Sequence, residues 1–207
     1  VARWAMSGGN GQPWEFIVVK NPATRAKIFE FFREYRLVGD VMENTRLPEM
    51  RHPIAGTMSQ GQPMFKNAPV IIVICGDPRT LQATVLHAQI VGAERETYHM
   101  NMANVTFLIH LAAASLGLGA HWVSTSPEWE SKLKALLGIR DPIRVPQLAP
   151  IGYPDYKPAP PYRRKLDELV HSEKYDPSRY RTEEDIVKFI IDLRRRTTAA
   201  YHPAREG

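Results

Sequence analysis

The chain has one cysteine in 207 residues, Cys75, so it can hold no internal disulfide. Its position in the apolar run VIIVICG marks it as a small buried hydrophobe, in keeping with a reducing compartment such as the cytoplasm. The seven histidines show no ligand spacing with it or with one another, and no metal centre is expected. Internal repeats and low-complexity segments are missing. No Gly-x-Gly-x-x-Gly follows a strand-like run, which argues against a Rossmann domain. The longest apolar stretch, residues 102–122, nears membrane-spanning length, but Asn104, Thr106, His110 and Ser115 interrupt it and glycines end it. A core helix is expected there, and no membrane segment. The first residues lack a charged region followed by an apolar run, so no signal peptide is expected. A net charge of +5 comes with basic residues that are scattered or gathered in two short runs, 163–165 and 194–196, without a nucleic-acid motif. Those runs read as solvated faces or a small anion site, and nucleic acid is set aside. With 43% hydrophobic and 24% charged residues, the chain can bury one core, and a single domain over residues 1–207 is expected.

Short β-branched runs bounded by Pro, Gly, Asn or Asp predict strands at 15–19, 70–75, 121–125 and 147–153. Helical spacing predicts helices at 22–35, 81–98, 100–116 and 128–137, the last closed by Gly138. The 100–116 helix is apolar nearly all round, so it must be covered on every side by its own chain or a partner. Residues 39–66 hold four methionines with several Pro and Gly and no sustained period, which predicts a long mobile loop or lid. From residue 181 a terminal arm begins. Thr182 and Asp185 form a capping-box-like start, followed by Ile186, Val187, Phe189, Ile190 and Leu193. Strands and helices intermingle without a βαβ period, which predicts an α+β sheet.

The stretch SGGNGQPWEFIVV at residues 7–19 runs from a freely bending loop straight into a strand. Gly8, Gly9 and Gly11 permit close backbone approach, Ser7 offers a hydroxyl, and Asn10 and Gln12 each offer two donors and an acceptor. Such a loop suits a flat, polar-edged ligand, and equally an ordinary turn before a strand. Trp14 reads as core.

This segment resembles the Pro-Ser-x-x-Asn-x-Gln-Pro-Trp motif of the nitroreductase-like flavoproteins, matched at Ser7, Asn10, Gln12, Pro13 and Trp14. Three further pieces follow in the family's order: NAPVIIVIC at 67–75, LAAASLGLGAHWVSTSP at 111–127 and PIGYPDYKPAPPYRRKLDELV at 150–170. The resemblance implies an intertwined α+β homodimer with a central, mostly antiparallel sheet flanked by helices and FMN at the subunit interface. It implies that Ser7, Gly8, Gly9, Asn10 and Gln12 serve the flavin, the loop reaching that of the partner. It also implies that Trp122, Val123, Ser124 and Thr125 lie along the isoalloxazine ring, with Ser124 or Thr125 as a donor near N5. Arg163, with Arg164 as the near alternative, would reach the phosphate. Planar, permanently charged arginine suits a phosphate dianion, and a solvated surface charge is the competing reading. In the family an Arg-Arg-Ser-x-Arg segment precedes the loop. This sequence begins beyond it, and Arg3 does not match it.

The activity so implied is an FMN-dependent oxidoreductase with NAD(P)H as co-substrate and a nitroaromatic, quinone or similar flat electrophile as acceptor, in ping-pong order. The flavin carries the redox chemistry, so no side-chain acid or base is assigned as catalytic, and His121 reads as an ordinary strand residue. The methionines of 39–66 would shape the acceptor pocket. Two alternatives stand beside this: the same fold with another reaction (dehalogenation, flavin fragmentation or oxidation), and a flavin-binding protein without turnover.

Overall fold

Successive side chains of the runs WEFIVV and VIIVICG point to opposite faces of a strand, so each run can meet different neighbours on its two sides. We describe a computed structural model that covers residues 1–52, 64–83, 93–155 and 160–201. The chain forms two compact units, Val1–Tyr35 with Pro63–Asp155, and Arg36–Gln62 with Tyr156–Gly207.

The first unit holds the sheet. Strand β1 (Trp14–Val19) pairs antiparallel with β2 (Val70–Gly76), which pairs antiparallel with β5 (Arg144–Gly152). Two short strands, β3 (Gly119–Ala120) and β4 (Val123–Ser124), share the far edge of β5. The expected strand at 121–125 is thus reduced to 123–124, with a separate piece at 119–120 before it, although the register is shared: Ala120 lies opposite Ile151 and Val123 opposite Leu148. The reason is chemical. His121 and Thr125 donate their backbone N–H groups to the carbonyls of Pro150 and Pro146, and those prolines have no N–H to return.

Helix α1 (Pro22–Glu43) extends eight residues beyond the predicted end at Tyr35, because no Gly-Pro pair or other strong breaker intervenes there and Gly39 alone does not stop it. The start of the expected 39–66 loop is therefore helical, and a 3₁₀ turn, Pro48–Met50, follows. Residues 53–63, the middle of the expected lid, lie outside the described residues. Helix α2 (Ala93–Ser115) runs through His99, where a break between two helices was expected. Between its ends it contains neither Gly nor Pro to interrupt the hydrogen-bond ladder. The rest of the expected 81–98 helix is a 3₁₀ turn, Pro78–Ala83, and residues outside the description. Helix α3 (Pro127–Leu137) ends as expected at Gly138, whose φ of 69° is the left-handed conformation that closes helices.

Along β2 the two faces separate cleanly. Ile72 and Ile74 pack with Met102, Val105 and Ile109 of α2, with Trp14 joining them in the core. Ile71 and Val73 alternate to the opposite face of the sheet and are fully buried. An aromatic cluster of Phe29, Phe32, Phe65 and Trp129 binds α1 to α3. Cys75 is buried within β2, and burial pushes its thiol up to about 11, as suits the inert hydrophobe read from the sequence.

In the second unit, helix α4 (Glu183–Tyr201) opens with the reciprocal cap foreseen at Thr182. Asp185 N–H donates to Thr182 Oγ1 (3.2 Å) while Thr182 N–H donates to the Asp185 carboxylate (3.0 Å).

A candidate cofactor and substrate cleft

At the C-terminal end of β2 the chain turns through Asp77 into Pro78–Ala83, opposite the loop that joins β4 to α3. Between them opens a cleft of about 700 Å³. Its walls include Arg79, Gln82, Arg95, Ser124, Thr125 and Gln147, over a floor that includes Tyr98 and Pro146. That volume lies within the range of small-molecule and cofactor pockets. Among the helices of the described residues, none is long and apolar enough to cross a membrane.

The polar groups of the cleft differ in how far they are already committed. Tyr98 is buried and its hydroxyl donates to the Gly76 carbonyl (3.2 Å). Burial also raises its pKa, so the phenol stays protonated. Glu130, nearly buried at 6% exposure, accepts two hydrogen bonds from the Arg144 guanidinium (2.9 and 2.8 Å) and one from Val145 N–H (2.7 Å). Burial alone would raise the Glu130 pKa; these bonds outweigh it and hold the carboxyl below its ordinary value. Arg79 is engaged with Asp77 through its Nε and Nη2. Ser126 Oγ is buried at the head of α3 and has no hydrogen-bond partner among the described residues.

Of the two hydroxyls read as flavin donors, the structure separates one from the other. Thr125 donates its hydroxyl to the Val145 carbonyl and its backbone N–H to that of Pro146. Both its donors are used within the fold. Ser124 Oγ accepts from the Trp122 indole N–H (3.3 Å), so its own proton is left to donate elsewhere, and the residue lines the cleft. Trp122 therefore supports Ser124 from behind, its ring against that of His110 at 5.6 Å. Val123 is buried in the sheet.

The loop at residues 7–12 is not among the residues lining this cleft. It is braced on the elements that build it. Gly8 N–H donates to Asn101 Oδ1 of α2 (3.0 Å), and Gln12 N–H donates to Ser7 Oγ (3.1 Å). A Cβ on Gly8 would come within 2.9 Å of Thr97, and one on Gly11 within 2.9 Å of the Thr80 carbonyl. These two glycines thus serve approach to the chain itself rather than to a ligand. Gly9, Asn10 and Gln12 all have positive φ (57°, 54° and 44°), a conformation that costs energy for the last two. Arg163 and Arg164 belong to the second unit. Arg164 is committed to the Glu168 side chain and carbonyl. Arg163 makes one local bond, to the Tyr162 carbonyl, and is exposed.

Comparison with known proteins decides the family. The nitroreductase family model matches residues 1–153. The chain belongs to the nitroreductase family. A provisionally named NADH dehydrogenase/NAD(P)H nitroreductase of Archaeoglobus fulgidus is 30% identical over 155 residues, 74% of this chain and 68% of that protein. Iodotyrosine deiodinase 1 of Rattus norvegicus is 25% identical over 172 residues, 80% of this chain and 56% of the deiodinase, so the chain spans little more than half of that relative. In fold it is similar to the NADPH:FMN oxidoreductase of Vibrio harveyi solved with NAD⁺ (TM-score 0.59, 17% identity, 91% of this chain and 69% of that one). The nitroreductase-like fold, with its antiparallel sheet flanked by helices, is the architecture described above, and the family is one of flavin-dependent oxidoreductases.

The residues of the cleft fit a flavin ring. The orphaned Ser126 hydroxyl and the uncommitted Ser124 proton supply polar partners for a ring edge, and Leu81, Pro127 and Pro146 offer apolar surface to its faces.

Proposed function

We propose that the protein is an FMN-dependent oxidoreductase of the cytoplasm, working as a homodimer, that uses NAD(P)H to reduce a nitroaromatic, quinone or similar flat electrophile in ping-pong order. The observation that carries this reading is a cleft lined by Ser124, whose hydroxyl is free to donate, in a chain that matches the nitroreductase family over residues 1–153. Bound FMN would supply the redox chemistry, accepting electrons from the nicotinamide and passing them to the acceptor. The chain's own part is to hold and orient. Ser124 donates to the ring edge and Trp122 fixes the Ser124 hydroxyl. For a phosphate, the exposed Arg163 is the candidate in preference to the committed Arg164. The braced loop of Ser7, Gly8, Gly9, Asn10 and Gln12 is presented to the partner's site.

The homodimer is supported by the outer face of α2. Met100, Phe107 and Leu111, spaced as one helical stripe, are exposed by 57%, 57% and 48%. Beside them the N-terminal segment is tied by an Asn104 Nδ2 bond to the Met6 carbonyl (3.2 Å), with Trp4 and Met6 also exposed. An apolar stripe of this kind on a soluble domain favours burial by a second copy.

The likeness to a deiodinase favours a second reading, reductive dehalogenation in the same cleft. One experiment distinguishes the readings. The protein is purified with its flavin, mixed anaerobically with NADPH, and the visible absorbance followed. Bleaching, then recovery on adding a nitroaromatic or quinone, is expected. Recovery with iodophenols alone would favour dehalogenation. A bound flavin that NADPH never bleaches would mark a carrier and overturn the proposal.

A further inference from the structure

Among the described residues that line the cleft, one arginine lacks a counter-charge. Arg144 is neutralised by Glu130 and Arg79 by Asp77, each through two or more hydrogen bonds. Arg95, on the first described turn of α2, also lines the cleft, and among the described residues it makes no hydrogen bond or ion pair. The one acid among the described residues lining the cleft, Glu130, is already paired with Arg144. Tyr98 is spent on the Gly76 carbonyl, His99 carries no negative charge, and Gln147 is a neutral amide in contact with the Thr106 hydroxyl (3.2 Å). Arg95 therefore brings to a space of about 700 Å³ a positive charge that no described residue neutralises.

Resting on the oxidoreductase reading, we propose that the cleft selects a reactant that carries an oxyanion, a carboxylate or phosphate, beside its flat ring, and that Arg95 is the residue that binds it. A guanidinium offers two parallel N–H donors to such a group, which a lysine ammonium or a neutral amide cannot reproduce. Because Arg95 is exposed, the selection is moderate and weakens as salt rises. The oxyanion can enter on the acceptor or on the nicotinamide co-substrate, and the chemistry is shared.

Equilibrium binding tests this without turnover. By calorimetry on the flavin-loaded protein, 4-nitrobenzoate is compared with 4-nitrobenzyl alcohol, and NADP⁺ with NAD⁺, for the natural protein, Arg95→Gln and Arg95→Lys. In at least one pair the more anionic ligand should bind about tenfold more tightly. That preference should vanish in Arg95→Gln, persist in part in Arg95→Lys, and shrink with added salt; the pair that responds identifies the source. Equal preferences in the natural protein and Arg95→Gln for both pairs would overturn the proposal. Loss of flavin from Arg95→Gln on gel filtration would overturn it too, by assigning the arginine to the cofactor phosphate. Bleaching by NADPH is read in the same preparation, so a failure of the oxidoreductase reading is seen separately from a failure of anion selection.

Discussion

Two adjacent hydroxyls in the β4–α3 region are alike in sequence and unlike in what they can do. Thr125 has spent both donors on the carbonyls of β5, while Ser124 receives a hydrogen bond and keeps its proton. Ser124→Ala should leave the melting temperature close to that of the natural protein and slow NADPH-dependent bleaching of the bound flavin by about tenfold, the worth of one hydrogen bond to the ring. Thr125→Val should do the reverse, costing about 1 kcal/mol of stability by leaving the Val145 carbonyl unpaired, with a smaller effect on bleaching. Rapid-mixing absorbance and thermal melts on both variants check the assignment. The opening loop shows how far residues could be read beforehand. Its glycines were legible as points of close approach, but the partner in that approach, Thr97 for Gly8 and Thr80 for Gly11, lies some seventy to ninety residues away and only folding brings it near. At Gly9 a branched residue would be strained by the positive φ itself, so a valine there would disturb the loop as well as block a ligand.

At the scale of elements, α3 and β5 are joined through one carboxylate. Glu130 on α3 ties the Arg144 side chain and the Val145 backbone at the start of β5, and that junction forms the cleft's inner wall. Since its folded pKa is depressed, the stability it contributes is present above the ordinary carboxylate range and is lost as pH falls through the folded value. Glu130→Gln should therefore lower stability at neutral pH by about 2 kcal/mol, at the low end for a buried pair because the Arg144 side chain is half exposed, and the difference should narrow under acid. Urea titrations at several pH values would reveal it, and a gap that widened on acidification would contradict the sign. The strands at 15–19 and 70–75 and the helix at 128–137 were legible because local pattern and punctuation agree in them. The divided strand at 119–124 was not, since its interruption comes from the prolines of a different strand that pairs with it.

For the whole molecule, the apolar all-round character of α2 foretold that something must cover it. Within the chain its inner residues Met102, Val105 and Ile109 are covered by the sheet, and Phe107 on the outer stripe is not. On the homodimer proposed above, Phe107→Glu should convert a species of twice the chain mass into monomer in light scattering, with loss of flavin if both subunits complete each site. A natural protein that is monomeric at micromolar concentration and still holds its flavin would remove that reading.

By itself the sequence determined what depends on neighbours in the chain: the strand and helix periods, the left-handed stop at Gly138, the reciprocal cap at Thr182, the inert cysteine and the motif that resembles the family. What the tertiary structure decided depends on contacts between distant residues. Ser124 rather than Thr125 keeps a free donor because the carbonyls that consume the donors of Thr125 lie about twenty residues on. Among the described residues, Arg95 alone of the cleft's arginines is without a counter-charge because Asp77 and Glu130 fold onto the other two. Hydrogen bonds and charges are short-ranged and saturable, so which groups remain free to meet a ligand is settled only when the chain has closed on itself.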